Sequence, residues 1–257
     1  MKRILFKIGG NVLEELTPSF FHSIHELIKK SYQLLFVHGG GPDIDQILEH
    51  YQCANQFEDG LRVTTEEMMS LIEMTLAGRT NRKLVHALAE NGIKSIGVHG
   101  SDLNLLQADF INKQKYGFVG KILEVEASHI LSLLAEGINP VITPIGMTDK
   151  GVTLNINADY AAAALASALG VEQCVFVTNV PGICMNDKPL THVDEVEIGK
   201  FINEGKITGG MVPKVQSALV ALGSGLEHVR IVSGKEAFFK ADNWSGTKIS
   251  KKEVINK

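Results

Sequence analysis

Four apolar residues, Leu34, Leu35, Phe36 and Val37, run into His38-Gly39-Gly40-Gly41-Pro42. This order predicts a buried strand, a tight turn and a helix that opens at the proline. Glycine lacks a Cβ, so the backbone can approach a ligand closely, and the start of the helix adds its positive end. The ligand that suits such a turn is a carboxylate or a phosphate; taken alone, the turn could equally be a connection without a ligand. A second turn of the same kind follows residues 3–8, where Lys7 stands just before Gly9-Gly10-Asn11. Two strand-to-glycine turns in the first half of an α/β chain suggest two ligand-facing loops at one sheet edge.

The chain has 257 residues, 44% of them hydrophobic, enough apolar surface for one large α/β domain or two closely joined lobes. Its net charge of −4 and lack of lysine- or arginine-rich blocks argue against a nucleic-acid or membrane-surface partner. Met1-Lys2-Arg3 precedes only three apolar residues before Lys7, and the apolar-rich run 161–169 is too short for a span. A cytoplasmic protein is expected. Cys53, Cys174 and Cys184 lack metal-ligand spacing and read as reduced thiols, none a strong nucleophile.

Strands and helices alternate along the chain. A helix is expected over 17–30, capped by Thr17 with Pro18 in its first turn, then a strand at 34–37 and a helix whose inner face is Ile44, Ile47 and Leu48. Residues 57–63 read as a hairpin. Thr64-Thr65-Glu66-Glu67 opens a helix that passes Gly78 and stops at Asn91-Gly92. Strands are expected at 95–98 and 140–143, β ribbon at 105–110 and 118–125, and a helix at 127–136. In the second half, an alanine-rich helix at 160–169 can lie close on a sheet, strand 174–178 ends in a turn, and helices cover 193–204 and 212–222. Residues 229–232 read as the last interior strand and 246–249 as a short edge strand. No internal repeat is evident.

Six motifs then fall into a recognisable order. They are Lys7-x-Gly9-Gly10, His38-Gly39-Gly40-Gly41-Pro42, Gly60-x-Arg62-x-Thr64, Asn155-x-Asn157-Ala158-Asp159, Thr178-x-Val180-x-Gly182-Ile183 and Thr208-Gly209-Gly210-Met211-x-Pro213-Lys214. In this order the chain resembles the acetylglutamate kinases of the amino acid kinase family over essentially its whole length. The resemblance implies a three-layer α/β/α sandwich with a largely parallel central sheet, the carbamate kinase-like fold. It implies a single domain over 1–257, with an amino-acid-binding lobe at about 1–145 and an ATP-binding lobe at about 146–257. The reaction implied is transfer of the γ-phosphoryl of ATP to the side-chain carboxylate of N-acetyl-L-glutamate, within arginine biosynthesis. A carboxylate with a pKa of about 4.3 is already ionised at neutral pH, so the nucleophile needs no general base. Positioning and charge stabilisation suffice.

By the same resemblance Lys7 and Lys214 flank the transferring phosphoryl and Asp159 sits between them. For Asp159 the independent reading is an acid favoured at a helix start, and both can hold. Gly9, Gly10, Gly39, Gly40 and Gly41 supply backbone donors, with Gly40 and Gly41 nearest the acetylglutamate. Arg62 pairs with the α-carboxylate through its planar fork; a lone hairpin arginine would otherwise be a surface charge. Asn155 binds the α-substituents, and Asn157 shares that role or caps a helix. The nucleotide lies along Thr178, Asn179, Val180, Pro181, Gly182 and Ile183 and the loop of Lys206, Ile207 and Thr208. Magnesium arrives with ATP, held mainly by phosphate oxygens, with no protein metal site expected. His22 and His25 read as helix surface, His38 as a support for the glycine loop, and Met68, Met69 and Met74 as core or subunit-interface material.

Two stretches depart from the family pattern: Asn179 replaces the usual aspartate, and His99-Gly100-Ser101-Asp102-Leu103-Asn104 differs from the commoner sequence there. The short segment before Lys7 lacks the helical extension of arginine-inhibited hexamers, so a homodimer insensitive to arginine is expected. Two other classes fit less well. A dinucleotide module fails because Ile44 occupies the third glycine position, and a non-catalytic amino-acid sensor should have lost a lysine or Asp159. Kinases of carbamate or other amino acids share the phosphate machinery, whereas Arg62 with the Asn155–Asp159 motif favours acetylglutamate.

Overall fold

The computed structural model describes residues 2–185 and 188–252; Met1 and positions 186–187 and 253–257 of the expected domain lie outside them. In chain order the first half comprises β1 (Arg3–Ile8), a 3-10 turn (Gly10–Glu15), α1 (Pro18–Lys29), β2 (Gln33–His38), α2 (Gly41–His50), β3 (Phe57–Glu58), β4 (Leu61–Arg62), α3 (Glu66–Glu73), a π-helical stretch (Met74–Thr80), α4 (Asn81–Glu90) and β5 (Ser95–His99). There follow β6 (Leu106–Phe110), α5 (Lys113–Tyr116), β7 (Val119–Val125), α6 (Ser128–Ala135), β8 (Asn139–Thr143), β9 (Ile145–Met147), β10 (Thr153–Ile156), α7 (Ala158–Ala168) and β11 (Gln173–Thr178). The chain closes with β12 (Cys184–Met185), β13 (Lys188–Pro189), β14 (His192–Asp194), α8 (Glu195–Asn203), α9 (Met211–Gly223), β15 (His228–Ser233), β16 (Phe239–Lys240), β17 (Asn243–Trp244) and β18 (Thr247–Ser250).

Eight strands form the central sheet in the order β14-β18-β15-β11-β1-β2-β8-β5. From β15 to β5 the strands all run parallel; β18 is antiparallel to β15, and β14 runs with β18. Strands buried on both faces read as continuous apolar runs, which is why β1, β2 and β11 were legible. Successive side chains alternate between two helical layers. Ile4, Phe6 and Ile8 of β1 pack with Phe20, Ile24 and Leu27 of α1 and with Leu84 and Leu88 of α4. Leu5 packs on the opposite side with α6, α7 and α9. The same alternation puts Lys7 on the α7 side, beside Phe176 of β11, whose ring centre lies 5.9 Å from Nζ. The small side chains of Ala161, Ala162, Ala163 and Ala166 let α7 lie close on this face.

Several expectations need correction. Residues 247–250 are not an edge strand: β18 lies between β15 and β14, and β14 is the edge. The first residues assigned to helix 193–204 belong to that edge strand, because Asp194 is the N-cap of α8, closing a capping box with Glu197. Thr17 does occupy the N-cap of α1, but its hydroxyl donates to the Lys235 carbonyl at 3.0 Å and not to the helix. The long helix through Gly78 is continuous only through the π-helical stretch, which brings Leu76 and Thr80 against Gly40.

Strands β6, β7, β9 and β10 close a small barrel above the sheet, joining segments on both sides of residue 146. Thr64, just after the β3–β4 hairpin, is tied to it: its amide donates to Tyr116 O at 3.0 Å and its carbonyl accepts from Phe118 N at 2.7 Å. Among the described residues no helix is long and apolar enough to cross a membrane.

Candidate active site

Strands β11, β1 and β2 are neighbours, so the turns at their C-terminal ends meet. Gly9 N donates to Val177 O at 3.3 Å and Gly39 N to Ile8 O at 2.8 Å, stitching the two glycine turns to adjacent strands. A Cβ on Gly10 would stand 3.1 Å from the amide nitrogens of Gly40 and Gly41, so the absence of a side chain is what lets the turns touch. A Cβ on Gly41 would meet nothing within 4 Å, because that position faces open space.

That space is a cavity of about 630 Å³ between the sheet edge, the barrel and the β3–β4 hairpin. Three helix N-termini open onto it: α2 at Gly41, α7 at Ala158 and α9 just after Gly210. Lys7, Lys214 and Arg62 line it with one carboxylate, Asp159, among the described residues. Three cations, three positive helix ends and exposed glycine amides make a site for anions.

Lys7 Nζ lies 2.7 Å from Asp159 Oδ1, both side chains 16% exposed. The contact is ionic without hydrogen-bond alignment, since Oδ1 has no aligned donor among the described residues. The other oxygen, Oδ2, accepts from Ser217 Oγ at 2.6 Å. Lys214 is not held by Asp159: its Nζ donates to Asn179 Oδ1 at 2.6 Å. Partial burial pulls the Lys214 ammonium below its ordinary pKa.

On the hairpin side Arg62 is 8% exposed. Its guanidinium bonds Asn55 Oδ1, lies 2.8 Å from Asp45 Oδ1 and covers the Phe57 ring at 4.5 Å. Asn155 Nδ2 donates to Thr64 Oγ1 at 3.2 Å, and that hydroxyl donates to Arg62 O at 2.8 Å, so one buried threonine registers Asn155 against Arg62. Asn157 lines the cavity and also caps α7, accepting from Asp159 N at 2.8 Å.

His38 is fully buried behind the glycine turn. Burial drives its pKa from 6.5 to about 4, so the ring is neutral, donating through Nδ1 to Gly39 O at 3.0 Å and accepting at Nε2 from Asn81 Nδ2 at 3.3 Å. On the far side of the same turn Asp43 binds Thr80 Oγ1 at 2.8 Å and Lys83 Nζ at 2.8 Å. Its burial opposes ionisation, but the bonds from Lys83 and Thr80 and the charges of Lys83 and Arg79 outweigh that and hold its carboxyl below the usual range.

The structure thus brings Lys7, Gly9, Gly10, Gly39, Gly40, Gly41, Arg62, Asn155, Asn157, Asp159, Thr178, Asn179 and Lys214 to one cavity. Val180, Pro181, Gly182, Ile183, Lys206, Ile207 and Thr208 are not on its wall. Ile183 and Ile207 are buried in the core, and Lys206 pairs with Glu204 at 2.6 Å. Sequence reasoning missed Ser217, Asp45 and Asn55. Ser217 had a signal, three residues beyond Lys214 on one helix face; Asp45 and Asn55 had none. His25 bonds Asn91 O at 2.7 Å, and no group of three or more His, Cys, Asp or Glu able to hold a metal exists among the described residues.

A model of the amino acid kinase family matches residues 2–233. An acetylglutamate kinase of Geobacillus stearothermophilus is 44% identical over 250 residues, covering 97% of each chain. One of Bacillus velezensis is 46% identical over 252 residues, covering 98% of each. A solved Streptococcus mutans structure superposes with a TM-score of 0.83 at 30% identity, over 97% of this chain and 99% of that one. Carbamate kinase from Giardia lamblia shares the fold, with a TM-score of 0.66 at 18% identity over 98% and 99%.

Proposed function

The chain belongs to the amino acid kinase family, and we propose that it acts as an acetylglutamate kinase, carrying the γ-phosphoryl of ATP to the side-chain carboxylate of N-acetyl-L-glutamate in arginine biosynthesis. The products are N-acetyl-L-glutamyl 5-phosphate and ADP. A carboxylate oxygen forms the new bond to phosphorus as the bond to the ADP oxygen breaks, with no proton to move. The observation that carries this reading is the pair of lysines, Lys7 and Lys214, on one anion-attracting cavity with Asp159, an acid already engaged by Lys7.

In this reading the two lysines stabilise charge on the transferring group. Asp159 fixes Lys7, and the amides of Gly9, Gly10, Gly40 and Gly41 hold phosphate and substrate oxygens. Arg62 takes the substrate α-carboxylate, exchanging Asp45 for it, and Asn155 and Asn157 bind the α-substituents. The nucleotide extends from Thr178 and Asn179 towards the 180–183 turn and the 206–208 loop, which support it from beneath. Asp159 is held by both Lys7 and Ser217, so the donor set suits a magnesium ion that travels on the nucleotide's phosphates.

We place the enzyme in the cytoplasm, a reading supported by three free thiols at Cys53, Cys174 and Cys184. We also assign it a homodimer through β5, the sheet's edge strand, where Ile96 is 43% exposed. The test of function is ATP-dependent acyl phosphate formation, trapped with hydroxylamine, using N-acetyl-L-glutamate beside glutamate, aspartate and N-acetylaminoadipate. Signal with N-acetyl-L-glutamate alone is expected. Signal with another acid alone would overturn the substrate, and ATP binding without any signal would favour a sensor.

A further inference from the structure

Ser217 belongs to neither glycine turn nor to the lysine pair, yet it makes the shortest hydrogen bond to the site's carboxylate. Its hydroxyl has one proton and two acceptors in reach: Asp159 Oδ2 at 2.6 Å and the Pro213 carbonyl at 3.0 Å. A serine inside a helix ordinarily returns its proton to the carbonyl four residues back, which is Pro213 here. A carboxylate is the stronger acceptor, and 2.6 Å falls in the range of a charge-assisted O–H···O⁻ bond. The proton therefore goes to Asp159.

Asp159 has two oxygens and two neighbouring lysines. Ser217 fixes the carboxylate through Oδ2, which leaves Oδ1 turned to Lys7, while Lys214 turns to the neutral carboxamide of Asn179. Ser217 and Lys214 are three residues apart on α9 and face the same cavity, so the hydroxyl also links the start of α9 to the start of α7. We infer that Ser217 is a positioning residue that locks the Asp159 carboxylate onto Lys7 and keeps Lys214 uncommitted to it. The catalytic part of this inference rests on the kinase reading given above; the geometric part does not.

Two measurements on wild type, Ser217→Ala and Ser217→Thr test it. The first is competitive acetylation of lysines read by mass spectrometry, which needs no turnover. Lys7 should label several-fold faster in Ser217→Ala than in wild type, with Ser217→Thr close to wild type because it restores the hydroxyl, and with surface lysines such as Lys2 as internal standards. The second is the hydroxamate assay. kcat should fall about tenfold in Ser217→Ala, the scale of one hydrogen bond to a charged group, with KM for both substrates and the melting temperature little changed. Equal Lys7 labelling in all three proteins overturns the inference. Unchanged kcat in Ser217→Ala with an active wild type overturns its catalytic part. A wild type without kinase activity sinks the functional reading alone, and the labelling still decides whether Ser217 holds Asp159.

Discussion

Lys214 Nζ and Asn179 Oδ1 lie 2.6 Å apart, joining the first turn of α9 to the end of β11 by a bond between a cation and a neutral amide. A carboxylate at 179 would change two things. It would pair with Lys214, raising a pKa that burial now holds below its ordinary value, and it would add a second negative charge to the cavity proposed to take the phosphates of ATP. Asn179→Asp should raise KM for ATP by roughly fivefold, the effect of about 1 kcal/mol of added repulsion at several ångströms in a partly solvated site. With the ammonium as the form proposed to act, the alkaline limb of the pH–rate profile should move to higher pH. Steady-state kinetics across pH measure both, and an unmoved limb would mean that Lys214 does not titrate there.

Lys214→Ala removes the cation without touching the core, since its side chain lies on the cavity wall. Turnover should fall on the order of 10²–10³, as when one charge-stabilising donor is lost, with the circular dichroism spectrum retained. A folded Lys214→Ala enzyme with wild-type turnover would refute the phosphoryl-transfer assignment.

The parts legible in the sequence are those fixed by local chemistry. Strands β1, β2 and β11 have apolar cores because helices cover both faces, and the glycines that end the first two mark the sheet edge where Lys7 and Gly41 line one cavity. What escaped was set by long-range pairing. The place of β18 inside the sheet depends on β14, three residues hidden before a strongly capped helix. Asp45 and Asn55 find Arg62 only after the hairpin folds over α2. Asp159 meets Lys7 and Ser217 while Lys214 meets Asn179, groups from different elements that no spacing rule connects.

His38 makes stability depend on pH. Its folded pKa of about 4 lies below the unfolded value near 6.5, so between these limits the unfolded chain binds the extra proton. Stability is therefore complete above about pH 6.5 and declines as pH falls towards 4, by up to about 3 kcal/mol from this group. Protonation would also set an Nε2–H against the Asn81 amide donor. His38→Gln should be less stable at about pH 7.5 but lose less on going to about pH 5. Urea melts of both proteins at the two pH values measure the difference, and parallel losses would rule out His38 as the cause.

Gly10→Ala tests whether contact between the glycine turns matters for chemistry. The new Cβ would lie 3.0 Å from Pro42 Cδ and 3.1 Å from two amide nitrogens, so backbone would have to shift by a few tenths of an ångström. That shift falls on groups proposed to hold phosphate, where small misplacements are costly. kcat/KM should drop at least about tenfold, with a melting temperature within a few degrees of wild type. An equal loss in stability and activity would point to simple unfolding.

Ile96 offers the sharpest test of assembly. It stands on the outer strand of the sheet, 43% exposed, with the backbone edge of β5 beside it unpaired among the described residues. The buried Ser95 Oγ next to it likewise finds no hydrogen-bond partner there. An uncovered apolar edge of this kind is one that a second copy can extend or cover. In sedimentation equilibrium the wild type should run at twice the chain mass and Ile96→Asp at the chain mass, because a carboxylate buried at a two-fold contact would face its own copy. The cavity lies at the strand ends, away from this edge, so the monomeric variant should keep its lysine and glycine geometry and lose activity only as far as it loses stability. A dimeric Ile96→Asp would move the interface to another face.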